Sequence, residues 1–239
     1  MTVRYELAAR AWDFPEIIER IVERSAAERV CEVGAGANPL LSRAFVDGKG
    51  LSYTLLDSSP EELAKAGAGY DKIVTDISSA SFTSPERDKF DVVFSRTVAE
   101  HVVDARTFHS NVRSMLAPGG IACHFFPTLF ALPFVLNKLL PEPIVTRLLL
   151  RLQPNRAAHG HHGKFRAHYR WCVGPHDSQL RRLAEIGYDV VEYVGYFGHH
   201  YYARVPPIQH LVDWSASLVL AHPSPWLTSY AHVTLRRRD

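Results

Sequence analysis

Four short apolar segments in the first half of the chain each run into a small or acidic turn residue, and a fifth follows a Pro-Gly-Gly turn. Arg29–Val33 meets Gly34-Ala35-Gly36, Leu51–Leu56 ends at Asp57, Lys72–Thr75 at Asp76, and Phe90–Phe94 at Ser95. Ile121–Phe126 comes after Ala117-Pro118-Gly119-Gly120. Helix-capable stretches lie between them, such as Asp104–Leu116 with Phe108, Val112, Met115 and Leu116 on one face. Strands that alternate with helices build βαβ units and a parallel sheet. The strands lack strict polar alternation, as expected when both faces are covered. With Val190–Phe197 and Tyr230–Arg237 as the last candidates, the expected fold class is α/β. It is a Rossmann-like, doubly wound, mostly parallel sheet of about seven strands, with helices on both faces and a helical or loop lid inserted after strand five.

The chain has 239 residues, 46% apolar and 22% charged, with a formal net charge of +2. That composition excludes disorder, collagen-like repeats and coiled coils, and the length supplies a core that needs no staples. Cys31, Cys123 and Cys172 have no paired spacing, so a reducing, cytoplasmic setting is expected. The N-terminus lacks the basic-then-apolar order of a signal peptide. Residues 1–27 read as a helical segment: Phe14, Ile17, Ile18, Ile21 and Val22 recur at helical spacing after Pro15, and Asp13 with Glu16 resembles a capping pair. Residues 28–126 form the cofactor-binding core, and 127–175 an inserted lid and acceptor-binding region. Residues 176–239 complete the sheet around a second insertion, beginning with a helix over Asp177–Gly187 capped by Gly187. The uncharged run Ile121–Asn137 is broken by Pro127 and Pro133 and ends at Lys138, so it does not read as a membrane span. Membrane-surface contact stays open.

The Gly34-Ala35-Gly36 turn lets backbone approach a ligand at the carboxyl end of a parallel sheet. Three details disfavour a dinucleotide. Pro39 stands where the third glycine of G-x-G-x-x-G belongs, Glu32 would repel a pyrophosphate, and Asp57 lies where ribose hydroxyls are gripped. A ligand with a ribose and a cationic or zwitterionic tail, but no phosphate, suits the pattern.

At this point the chain resembles the class I S-adenosylmethionine-dependent methyltransferases. The resemblance rests on Glu32-Val33-Gly34-Ala35-Gly36, Leu55-Leu56-Asp57-Ser58, Val74-Thr75-Asp76-Ile77 and Phe90–Ser95. Ala99-Glu100-His101-Val102 and Leu116–Gly120 complete the ordered set, which covers Val30–Phe126 well and the rest weakly. It implies S-adenosylmethionine as cofactor. Gly34, Ala35 and Gly36 would admit its methionine part with Glu32 near the ammonium group. Asp57 and Ser58 would take the ribose, Asp76 and Ile77 the adenine, and Ser95 and Arg96 would line the sulfonium region with backbone groups. Asn38 departs from the family, many of whose members carry a third glycine there. Its tolerance of left-handed backbone would preserve the turn.

Methyl transfer to a hydroxyl needs alignment and a base. The candidate catalytic residues are His101, His162 and His168, histidine being the side chain poised near neutral pH. Residues 121–239 hold 13 Lys+Arg against 7 Asp+Glu and 11 of the 13 histidines, many in His159–Arg170. No Cys or carboxylate joins those histidines, so no metal is expected. The basic excess and the aromatic lid suit a small-molecule acceptor, acidic or amphiphilic, and O-methylation is the expected reaction. Nucleic acid is disfavoured: Ser95-Arg96-Thr97-Val98 is not the Asn/Asp-Pro-Pro-Tyr signature, and no Pro-Cys nucleophile exists. Methylation of RNA or another macromolecule, and a non-catalytic cofactor-binding protein of the same fold, remain the alternatives. The sequence leaves the oligomeric state open.

Overall fold

The computed structural model describes residues 1–82, 87–129, 167–203 and 205–239. His162 and most of the expected lid lie outside the described residues. Strand β1 (Thr2–Leu7) leads through a 3-10 turn (Ala8–Trp12) into α1 (Phe14–Ser25). Then come β2 (Arg29–Val33), α2 (Arg43–Lys49), β3 (Ser52–Asp57), α3 (Pro60–Lys65) and β4 (Asp71–Val74). β5 (Phe90–Arg96), a 3-10 turn (Ala99–His101), α4 (Ala105–Met115) and β6 (Leu116–Pro127) follow. The remaining elements are α5 (Asp177–Ile186), β7 (Tyr188–Phe197), α6 (Pro206–Ala221), a 3-10 turn (Pro225–Leu227) and β8 (Tyr230–Arg237).

The strands form one sheet in the order β1-β7-β8-β6-β5-β2-β3-β4. Among the described strands only β8 runs antiparallel to its neighbours, β6 and β7. Among the described residues the sheet has eight strands, one more than the sequence suggests. The added strand is β1, inside the segment expected to be helical, and it pairs parallel with β7 from Thr2↔Glu192 to Leu7↔Phe197. Its Thr, Val and Tyr favour a pleated conformation, but Arg4 and Glu6 hide the pattern.

Helix α1 buries Phe14, Ile18 and Val22, the stripe that the periodicity predicts. The expected cap differs. Asp13 has φ −75° and ψ 16°, closes the preceding 3-10 turn by donating its N–H to the Arg10 carbonyl, and makes no side-chain cap. In α4 the cap is real: Asp104 Oδ1 accepts from the Arg106 N–H at 2.9 Å and the Thr107 N–H at 3.2 Å. Gly187 ends α5 with φ 101°, in the left-handed region expected of a C-cap glycine. All three cysteines are buried. Among the described residues no helix is long and apolar enough to cross a membrane.

Candidate functional site

From β2 the chain steps outward through β3 and β4, then returns to the other side of β2 as β5. Strand order reverses there, and the carboxyl ends of β2 and β5 open a crevice in which open α/β sheets bind ligands. Val33 and Ser95 are register partners, so the Gly-rich turn and the end of β5 face each other. Gly34 has φ 71°, and a Cβ on it would stand 2.3 Å from Val98 Cγ2. Gly36 has φ 52°. The Gly34 N–H donates to the Leu56 carbonyl at 2.7 Å, fastening the turn to β3. Asn38 is not in the left-handed region; its N–H donates to the Ala35 carbonyl at 3.3 Å, so the turn closes without a third glycine.

Asp57 sits at the end of β3. Its Oδ2 accepts from the Gly36 N–H at 3.0 Å and its Oδ1 from the Ser59 N–H at 2.9 Å. A carboxylate offers about four acceptor positions, so two remain for a ligand's hydroxyls. Ser58 beside it is exposed. Asp76 is exposed too, its Oδ1 accepting from the Ser78 N–H and hydroxyl at 2.8 and 2.7 Å. Ile77 is buried, and its carbonyl is pinned to α4 by Asn111 Nδ2 at 2.7 Å.

Other residues sit differently from the simplest reading. Glu32 is 3% exposed, and its Oε2 already accepts from the Leu40 N–H at 2.9 Å and from the Tyr53 hydroxyl. That oxygen braces the loop after the turn, and burial pushes the carboxyl upward against the opposing pull of those donors and of Arg96. Ser95 is wholly buried, its hydroxyl 2.8 Å from His124 Nδ1, so only its backbone borders the crevice. Ala35 is buried at the turn, and Arg96 is half-buried. The depression lined by Arg29, Asp91, Pro118 and Gly119 lies at the opposite, amino ends of the strands. Asp91 there accepts from the Glu28 and Arg29 N–H groups, a structural task.

Past β5 the backbone is strained. Thr97 holds φ 56°, an outlier for a β-branched residue, with its N–H donating to the Phe125 carbonyl at 2.8 Å. Glu100 follows in the 3-10 turn, 4% exposed. Its Oε2 has no hydrogen-bond partner among the described residues. Its Oε1 lies 3.7 Å from His101 Nε2, and burial pushes the carboxyl up to about 8. The Glu100 carbonyl accepts from the N–H groups of His168 at 2.6 Å and Tyr169 at 3.0 Å. The fold therefore brings His101 and the backbone of His168 to one peptide, with Glu100 between them. Glu100, read in the sequence only as part of Ala99-Glu100-His101-Val102, becomes a candidate through the burial of its carboxyl, which no sequence pattern displays. No cluster of three metal-ligating side chains occurs among the described residues.

A methyltransferase-domain family matches residues 4–193. The chain belongs to that family. It is an S-adenosylmethionine-dependent methyltransferase of the class I superfamily. No curated protein matches the chain. Among solved structures it resembles a Galdieria sulphuraria protein assigned as a sarcosine dimethylglycine methyltransferase, at TM-score 0.57 and 12% identity over 95% of this chain and 86% of that one. Phosphoethanolamine N-methyltransferase 2 of Haemonchus contortus, in complex with S-adenosyl-L-methionine, aligns at 0.54 and 15% identity over 96% of this chain and 56% of that one. An S-adenosylmethionine-dependent methyltransferase of Mesorhizobium loti aligns at 0.53 and 15%, covering 94% and 97%. At these identities the likenesses establish the fold.

Proposed function

We propose that this methyltransferase acts on a small-molecule acceptor at oxygen, with His101 taking the acceptor proton and the Glu100 carboxyl beside it. The observation that carries the reading is Glu100 itself: a buried acid whose Oε2 has no partner among the described residues, 3.7 Å from His101, just beyond β5. Burying such a group unpaired is costly, and groups of this kind concentrate where chemistry is done. S-adenosylmethionine, when bound, supplies a methyl group on a sulfonium leaving group. Around it, Gly34, Ala35 and Gly36 admit the methionine part through bare backbone. Asp57 offers its two free acceptor positions to the ribose with Ser58 alongside, and Asp76 and Ile77 receive the adenine. Glu32 acts through the loop it braces, and Ser95 and Arg96 supply backbone at the methyl-bearing end.

His101, with a side chain 36% exposed, can reach both acceptor and solvent. An ionised Glu100 would stabilise the imidazolium that forms as the hydroxyl loses its proton. His168, whose N–H is fixed on the Glu100 carbonyl, is the second candidate base, and His162 the third. Half-exposed Trp12, 6.1 Å from Phe125 and backed by the buried stacked pair Phe125 and Tyr230 at 5.8 Å, presents an apolar ring that suits an amphiphilic acceptor.

The test is calorimetric titration with S-adenosylmethionine and S-adenosylhomocysteine, with NADH as control, followed by an acceptor panel read by product mass and position of the new methyl. Binding of both adenosyl compounds and an O-methyl product support the reading. Turnover with amines alone would replace oxygen by nitrogen as the acceptor atom. Absence of adenosyl binding would remove the cofactor roles.

A further inference from the structure

Strand β1 is the outer edge of the sheet, and no described strand pairs with its free side. An open edge is a template for another strand, and charged residues on it are the usual defence. The charges on β1 have a particular arrangement. Reading Thr2-Val3-Arg4-Tyr5-Glu6-Leu7 against its own reverse, with Tyr5 at the centre, sets Arg4 opposite Glu6 and Val3 opposite Leu7, twice each. Val3 and Leu7 are 40% and 37% exposed, and Arg4 is half-exposed. The edge therefore repels strands that present like charge to it, yet complements its own inverse.

We propose that β1 is the interface with a second copy of this chain, the two β1 strands pairing antiparallel about a two-fold axis at Tyr5. An axis normal to the sheet makes the contact isologous and closed, joining two eight-stranded sheets into one. Directly opposed residues in an antiparallel pair share a face, so Arg4 meets the partner's Glu6 and Val3 meets the partner's Leu7. Helix α6 packs on both β1 and β7. The same axis sets two copies of α6 on one face of the joined sheet, about two strand spacings or 9–10 Å apart. Helices pack at 8–10 Å. Among the exposed residues of α6, which include His210, Asp213, Ser215 and Ser217, are the apolar Ile208 (45%), Leu211 (62%), Trp214 (61%) and Leu218 (52%), which give the second copy apolar area to cover beyond the strand pair.

The experiment is sedimentation equilibrium of the full chain and of two single variants, Arg4→Glu and Glu6→Arg, with circular dichroism as a check on folding. The wild type is expected to be a dimer. Each variant alone sets like charges opposite each other at two places and is expected to be monomeric. A one-to-one mixture of the two variants restores every opposite-charge pair and is expected to recover the dimer. Arg4→Glu also removes the ion pair with Glu192 at 2.6 Å. Exposed pairs of that kind contribute little to folding, and Glu6→Arg leaves this one in place. A monomeric wild type, a variant that still dimerises alone, or a mixture that stays monomeric would each overturn the proposal.

Discussion

Gly34 and Asp57 make the turn by different physics. At Gly34 both conformation and space demand glycine: φ is 71°, and a Cβ would meet Val98 Cγ2 at 2.3 Å. An L-residue in left-handed backbone loses roughly 1–2 kcal/mol, and Val98 is stiff about its β-branch. Gly34→Ala should therefore destabilise the fold by about 2 kcal/mol or more in urea unfolding. Adding Val98→Ala should recover the part due to the collision and leave the backbone part. No recovery would mean that Val98 simply moves aside. Asp57 holds the turn with two accepted N–H groups and has acceptor capacity to spare. Asp57→Ala should weaken S-adenosylhomocysteine binding about tenfold or more by calorimetry, while Asp57→Asn, which keeps one carbonyl acceptor, should lose less. Unchanged affinity in the alanine variant would remove the ribose role. Both residues were legible in the sequence, because a glycine after an apolar strand and an acid at the next strand end each have a local physical cause. Glu100 was not, because its significance lies in what surrounds its carboxyl, and those neighbours are distant in sequence.

Elements were legible where one face is buried and blurred where none is. β2, β3 and β5 read as strands because they are short, mostly apolar segments that each end at a turn residue, and α1 and α4 read as helices because their buried residues fall at helical spacing. β1 escaped because an edge strand exposed on much of its length carries charge instead of an apolar code. β6 starts at Leu116, earlier than expected: that residue ends the apolar face of α4 in the sequence pattern but pairs with Phe90 in the sheet. The cap of α4 is Asp104, the residue at which the helix-capable stretch begins. Asp104 accepts two backbone N–H groups and the Thr107 hydroxyl at 2.7 Å, and it fixes the helix whose Asn111 pins the loop after β4. Asp104→Ala should cost about 1 kcal/mol in urea unfolding. Asp104→Asn or Asp104→Ser should recover most of it; failure of both would mean that charge, and not capping geometry, sets the stability of α4.

Across the whole molecule, two kinds of buried titratable group pull stability in opposite directions with pH. His109 and His124 are buried side by side, ring centres 5.2 Å apart, and burial pushes His109 down to about 4 and His124 well below its ordinary value. The unfolded chain then binds more protons than the fold below the ordinary histidine value of 6.5. Their contribution is complete above 6.5 and is lost as pH falls toward about 4. Glu100 acts the other way. Its carboxyl, ordinarily near 4.5, is raised to about 8, so the fold holds the extra proton. Its contribution is complete below 4.5 and is lost as pH rises through about 8. Between 4.5 and 6.5 the two histidines outweigh the single carboxyl, and above 6.5 the Glu100 slope stands alone among these three groups. Wild-type stability should therefore fall from pH 6.5 to 8 with a slope approaching about 1.4 kcal/mol per pH unit. Glu100→Gln, which cannot ionise, should flatten that fall in urea unfolding across the window. Equal slopes in the two proteins would show that Glu100 does not hold its proton in the fold. The ionised Glu100 that would assist His101 is the same species whose formation costs stability, so the rate should rise with pH through this window, and that rise should shift or vanish in Glu100→Gln.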